Sequence, residues 1–168
     1  MSALPYLRGY PPELLAQAQQ LLAQGRLLTS VLRRYPKPHD VRSDRALFDY
    51  VDALKAEHLR TAEPLAKVAY DNKLHALRNA LGTHTTVWRA QGTRLKAKRE
   101  IRIASLFKQA PAEFLKMIVV HELAHLKVRA HDKAFYALCT RMEPAYHQLE
   151  FDLRLWLTAR EAAPIAKT

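Results

Sequence analysis

Apolar positions recur at helical spacing through the first sixty residues. Leu14, Leu15, Ala18, Leu21 and Leu22 follow Pro11, Pro12 and Glu13. Proline near the first helical position and an acid in the first turn mark a helix start. Gly25 supplies a C-cap. A short second helix is expected from Arg26 to Arg34, stopping before Pro36 and Pro38. Ser43 can cap a third, whose Leu47, Tyr50, Val51 and Leu54 fall at i, i+3, i+4 and i+7 on one face. Pro64 closes this helical part, 11–60.

The pattern then shifts toward a period of two. Lys67 to Tyr70 ends at Asp71-Asn72, and Thr83 to Arg89 is rich in β-branched residues and ends at Gln91-Gly92. Arg99 to Ser105 alternates, with Ile101 and Ile103 on one face and Glu100 and Arg102 on the other. These pieces predict a small sheet of three or four strands over 65–105, mostly antiparallel. Lys73 to Leu81 fits either strand or helix.

Helical spacing returns at Pro111. The stretch Pro111 to Arg129 has proline at N1 and Glu113 at N3. Phe114, Met117, Ile118 and Val128 share a face with His121 and His125, while Leu115, Val119, Leu123 and Leu126 form a second apolar face. Only a strip around Lys116 and Lys127 is polar, so this helix should be buried almost all round. Asp132 can cap the next helix, with Phe135, Leu138, Cys139 and Met142 on its inner side. Pro144 breaks it, and a last helix carries Leu149, Leu153 and Trp156. The metal-site helices thus span 111–159, and the tail after Arg160 should fray. Trp88 and Trp156 look like core anchors.

Composition narrows the class. With 168 residues, 49% of them apolar, the chain fits one globular α+β domain, 1–168, and not a disordered polymer. Four glycines are too few for a turn-rich all-β fold. No stretch approaches the roughly 20 apolar residues of a membrane span, and Met1 to Leu15 has no apolar h-region, so no signal peptide is expected. Cys139 is the sole cysteine, which excludes an internal disulfide and a thiolate cluster. A cytoplasmic setting follows as an expectation. The net charge of +11 suits an anionic partner or an unspecialised basic surface. The stretch Arg89 to Lys108 tilts toward the former, holding Arg89, Arg94, Lys96, Lys98, Arg99, Arg102 and Lys108 against Glu100 alone.

Chemistry concentrates at His121-Glu122-Leu123-Ala124-His125, an HExxH pattern. Residues i and i+4 lie one helical turn apart on the same side, so two imidazoles there can bind one Zn²⁺. Glu122 lies about 100° round the helix, where it can take a proton from water at the metal and pass it to a leaving group. Such spacing can arise by chance, but two histidines and a carboxylate on an otherwise apolar helix are costly without a partner. Catalytic zinc usually has three protein ligands. His131 is the candidate third, ten residues after His121, the spacing of the metzincin pattern HExxHxxGxxH. That pattern turns at a glycine; here the position is Val128, so the turn should come at Arg129-Ala130. Glu143, His147 and Glu150 are alternative third ligands on or beside the following helices. Tyr136, Tyr146, Arg141 and Arg78 could bind substrate or an oxyanion, although both tyrosines read more simply as core or rim. His75 and His84 read as surface histidines. No P-loop or dinucleotide fingerprint is present.

His-Glu-Leu-Ala-His-Leu-Lys at 121–127 is followed by His131, Phe135-Tyr136, Met142-Glu143-Pro144 and Tyr146-His147-Gln148-Leu149-Glu150-Phe151-Asp152. Together with Tyr6-Leu7-Arg8-Gly9-Tyr10 and Tyr70-Asp71-Asn72-Lys73, this resembles the YgjP-like metal-dependent hydrolases, or YgjP-like metallopeptidases, over most of the chain. The stretch from Met142 to Trp156 points to the bacterial YgjP branch. The resemblance implies a zincin-like α+β domain, with a small sheet on the metal-binding helix. It implies His121, His125 and His131 as metal ligands and Glu122 as acid/base. Relatives in the wider family carry Arg-Trp-Gly-Ser-Cys in the sheet. The corresponding region here, Ala80-Leu81-Gly82-Thr83-His84, matches only the glycine.

Two activities compete. A metallopeptidase is the leading expectation, since a metal ion can polarise a peptide carbonyl and an edge strand can pair with an extended peptide. The alternative is a phosphohydrolase using the same site: the branch is described as containing UTP pyrophosphatases, and Lys73, Arg78 and Arg102 could meet the phosphates. The expected cofactor is one Zn²⁺ per chain, with another divalent metal as the alternative. A structural zinc in a nucleic-acid binder ranks last. It would want four ligands, and Glu122 would have no task.

Overall fold

A computed structural model describes residues 4–74, 82–91 and 94–162, with backbone alone for 82–91 and 94–98. Arg78, His75, the ambiguous stretch from 75 to 81, the turn at Gly92, the end of the tail, and the side chains of His84 and Trp88 lie outside that description.

A 3₁₀ turn at Pro5–Leu7 leads into α1 (Pro12–Ala23), α2 (Leu27–Arg34) and α3 (Asp44–His58). Each boundary has a local cause. Pro12 sits in the first turn of α1. Gly25 follows with φ +67°; its N–H reaches Leu22 O at 3.0 Å, and Arg26 N–H reaches Leu21 O at 2.9 Å. This is the Schellman pairing that satisfies the last carbonyls, and its left-handed residue favours glycine. Ser43 Oγ accepts from Ala46 N–H at 3.1 Å at the start of α3.

The sheet comprises β1 (Leu65–Asp71), β2 (Gly82–Gln91) and β3 (Arg94–Ala104), with β3 in the middle. The expectation of a mostly antiparallel sheet is not met. β1 runs parallel to β3, from Leu65 opposite Arg99 to Asp71 opposite Ala104, with an irregularity between Leu65 and Lys67. β2 pairs with β3 antiparallel, from Gly82 opposite Ile103 to Gln91 opposite Arg94. The cause is order. A short connection makes β2 and β3 a hairpin, so β3 returns beside β1 pointing the same way as β1. Ile101 and Ile103 enter the core, as the alternation predicts.

A 3₁₀ turn at Ser105–Gln109 leads to α4 (Ala112–Ala124), followed by α5 (Lys133–Met142) and α6 (Tyr146–Ala162). The sheet, α3, α5 and α6 all pack against α4. Phe114, Leu115, Met117, Ile118, Val119, Val120, Leu123 and Ala124 are accordingly all buried. Two boundaries differ from expectation. Pro111 is the N-cap, one residue before the helix. The helix ends at Ala124 and not at Arg129, because Leu126 and Lys127 donate to the carbonyls of Leu123 and Ala124 in a tightened last turn. Asp132 caps α5 as predicted, its Oδ1 accepting from Phe135 N–H at 2.9 Å.

One core cluster runs from Leu7 through Val31, Leu47, Ile101, Phe114 and Phe135 to Trp156. A buried carboxylate fastens α2 to α6. Asp152 accepts from Arg34 at 2.8 and 3.3 Å, from the Tyr35 hydroxyl, and from Gln148 at 3.1 Å. Four donor contacts offset the cost of burying the charge. Among the described residues, no helix is long and apolar enough to cross a membrane.

Candidate metal centre and active site

The last turn of α4 and its C-cap present His121 and His125 from one side, as an i, i+4 pair must. His121 Nε2 and His125 Nε2 are 3.2 Å apart. The chain then leaves the helix and returns at once, bringing His131 Nε2 to 3.0 Å from His125 Nε2. The turn comes earlier than Arg129-Ala130 for a geometric reason. Each further helical residue would carry the chain about 1.5 Å along the axis, leaving His131 too few residues to return. One ligand atom from each of the three histidines lies within 4.8 Å of the others.

The outer ring nitrogens are also engaged. His125 Nδ1 lies 3.1 Å from the Val128 carbonyl oxygen. His121 Nδ1 lies 2.7 Å from the Tyr146 hydroxyl. A carbonyl can only accept, so His125 Nδ1 carries the proton and its Nε2 is a bare acceptor facing the other two rings. A divalent cation among the three Nε2 atoms would engage all three lone pairs at once. Imidazole donors fit zinc and its transition-metal neighbours, and hydrogen bonding of the distal nitrogen is the usual support for such ligands. The residues present therefore fit the metal that the motif implies.

Phe135 forms the apolar wall behind the cluster. It is fully buried, and its ring centroid is 4.9, 4.5 and 5.0 Å from those of His121, His125 and His131. Glu122 is buried, at 2% exposure, next to His121 in sequence, whereas His131 is exposed. The site is thus closed toward the core and reached from the His131 side.

Tyr146 is buried at the start of α6, and Cys139 is buried beneath it on α5. Burial pushes the Cys139 thiol up to about 12, and a hydrogen bond with Tyr146 acts the other way. Burial also raises the Tyr146 phenol far above its ordinary range, with Glu150 and Cys139 adding to the effect. Reading Tyr146 as core or rim missed its contact with His121. The signal was present only as a downstream tyrosine, with nothing in the sequence to say that α6 would cross the HExxH helix. Phe135 was placed on the inner face of α5, but its position behind the three histidines needs the fold.

The alternative third ligands are occupied elsewhere. Glu143 faces Lys116 at 3.3 Å and accepts from Ala145 N–H at 3.1 Å. His147 is exposed and lies against Tyr136, ring centroids 5.4 Å apart. Glu150 is paired with Arg154 at 3.5 Å. Of the suggested substrate cations, Lys73 is exposed in the turn after β1. Arg102 pairs with Asp71 at 3.6 Å on the strand face opposite Ile101 and Ile103.

An HExxH helix with a third histidine folded back beside it defines a class, the metal-binding hydrolases. Within that class, the chain belongs to the YgjP-like family: the family model described as "YgjP-like, metallopeptidase domain" matches residues 44–155. It is also 59% identical over 158 residues, covering 94% of this chain and 95% of the relative, to an Escherichia coli (strain K12) protein named UTP pyrophosphatase. No solved structure matches the chain. The protein is a hydrolase.

Proposed function

We propose that the chain hydrolyses UTP to UMP and pyrophosphate, in a single zincin-like domain spanning residues 1–168. In this reading one Zn²⁺ is held by His121, His125 and His131, and Glu122 serves as general base and acid. The observation that carries the reading is the 59% identity across nearly the whole chain to a relative of that name. The convergence of three Nε2 atoms, with a buried glutamate next to His121 in sequence, supports it, as does a net charge of +11, which suits a polyanionic substrate.

When bound, the ion would acidify a water and draw negative charge from the group under attack. The protein groups do the rest. His121, His125 and His131 hold the ion, and the Val128 carbonyl and Tyr146 hydroxyl fix two of their rings. Glu122 takes the proton of the attacking water at its carboxylate. As the bond between the α- and β-phosphates breaks, Glu122 returns that proton to the departing side. Phe135 and the buried flank of α4 keep bulk water from the rear of the site, which strengthens each charge interaction. Lys73, Arg78 and Arg102 are candidates for the phosphates on charge alone. Arg102 would first have to exchange its Asp71 partner.

Peptide hydrolysis is the second reading, favoured by the name of the family model. The same ion and the same glutamate would act on a carbonyl carbon, and β2, at one edge of the described sheet, could pair with an extended peptide. Incubating the zinc-loaded protein with UTP, the other nucleoside triphosphates and a mixed peptide library separates the two. Stoichiometric UMP and pyrophosphate from UTP supports the proposal; peptide cleavage with intact UTP overturns it.

A further inference from the structure

The proposed metal site rests on a residue outside the HExxH pattern. The Tyr146 hydroxyl is 2.7 Å from His121 Nδ1. Its ring is fully buried and nearly parallel to that of His121, with a 15° interplanar angle and centroids 6.4 Å apart. α6 thus places one buried hydroxyl against the outer nitrogen of a histidine on α4, within an otherwise apolar layer.

A neutral imidazole carries one proton, and which nitrogen holds it decides whether the ring can bind a metal through Nε2. In water the proton exchanges between both nitrogens. Here a phenol faces Nδ1 from within the core. A tyrosine hydroxyl oxygen can accept from an imidazole N–H, and a ring that offers Nε2 to a metal carries its one proton on Nδ1, the nitrogen that faces Tyr146. In that pairing His121 keeps its proton on Nδ1 and presents the Nε2 lone pair toward His125 and His131. The Val128 carbonyl does the same for His125. One ligand is therefore set by its own turn and the other by a side chain 25 residues away.

We infer that Tyr146 is a positioning residue for the metal, fixing the tautomer and orientation of His121 through the hydrogen bond between its hydroxyl and His121 Nδ1. The inference rests on the three-histidine site proposed above. It assigns Tyr146 no contact with substrate.

The test is zinc affinity, measured by competition with a chromophoric chelator on the purified chain. The wild type is compared with Tyr146→Phe, which keeps the ring and removes only the hydroxyl. Loss of a hydrogen-bonding partner behind a metal-bound histidine lowers affinity about 10–100-fold, and a loss of that size is expected while the metal-free variant melts close to wild type. Equal affinity in the two proteins overturns the inference. A second measurement stands should the variant fail to fold. In metal-free wild-type protein with ¹⁵N-labelled histidine, His121 is expected to be protonated at Nδ1; protonation at Nε2 overturns the inference. Failure of the wild type to bind zinc at all is a different outcome, and would overturn the site and the inference together.

Discussion

His125 Nδ1 donates to the carbonyl oxygen of Val128, three residues further on, across 3.1 Å. The bond does two things. It holds the imidazole with Nε2 toward His121 and His131, and it ties down the turn that ends α4. A valine stands where the metzincin pattern has glycine, and the chain turns by tightening the helix end, with Leu126 and Lys127 donating to the carbonyls of Leu123 and Ala124.

Metal content tests the ligand set. Purified protein is expected to hold one divalent ion per chain by elemental analysis. His121→Ala and His125→Ala are each expected to lose it, since two remaining imidazoles rarely retain zinc. His131→Ala should weaken binding and leave the far-ultraviolet circular dichroism unchanged, because His131 is exposed and outside the core. Full metal occupancy in either helix variant would displace the site.

Metal removal should also cost stability. An ion bound only by the folded chain raises the unfolding free energy by about 2.7 kcal/mol at a concentration 100 times its Kd. Excess chelator is therefore expected to lower Tm, and added Zn²⁺ to restore it. A Tm indifferent to chelator would mean that the three histidines are not joined by a metal in the folded chain.

The buried anchor between α2 and α6 gives a test independent of metal. Asp152→Ala removes the acceptor of Arg34, Tyr35 and Gln148. Arg34 is half exposed and can return to water, so the cost should come mainly from the lost hydrogen bonds, about 1–3 kcal/mol. Urea unfolding would measure it. A change below about 0.5 kcal/mol, the range of ordinary surface substitutions, would mean that the anchor contributes little.

Ionic strength tests the substrate class. A triphosphate held by several cations is expected to show a KM that climbs steeply with salt, as charges are screened within about 8 Å at 0.15 M. A neutral peptide substrate should show an almost flat KM. Steady-state kinetics on UTP across a salt series reads the difference directly.

Much of this was legible in the sequence, for physical reasons that can be named. Ser43 and Asp132 announce helix starts because a short oxygen side chain can bond the third N–H beyond it, and both do so. The alternation of Ile101 and Ile103 against Glu100 and Arg102 located the second half of β3 and its inner face, while the strand's start at Arg94 was not read. The histidine triad was visible because i, i+4 spacing has one helical meaning, and because His131 follows within a short loop. What could not be read depends on long-range neighbours. The parallel pairing of β1 with β3 follows from strand order, which no local pattern encodes. The end of α4 was misplaced by several residues because Leu126 and Val128 continue its apolar spacing after the backbone has left the helix. Tyr146 and Phe135 looked like ordinary core residues. Only the packing of α5 and α6 against the HExxH helix puts one hydroxyl and one ring behind the histidines.

The central claim is that Glu122 moves the proton in hydrolysis at this site. The most direct test is turnover of UTP by zinc-loaded Glu122→Gln beside wild type, with metal content measured on the same samples. Glutamine fills the same space but cannot accept a proton, and such general acid–base help contributes about 10²–10⁴ in rate. The account predicts full metal occupancy, an unchanged fold and a loss of kcat in that range. Wild-type turnover by the metal-loaded variant would contradict it.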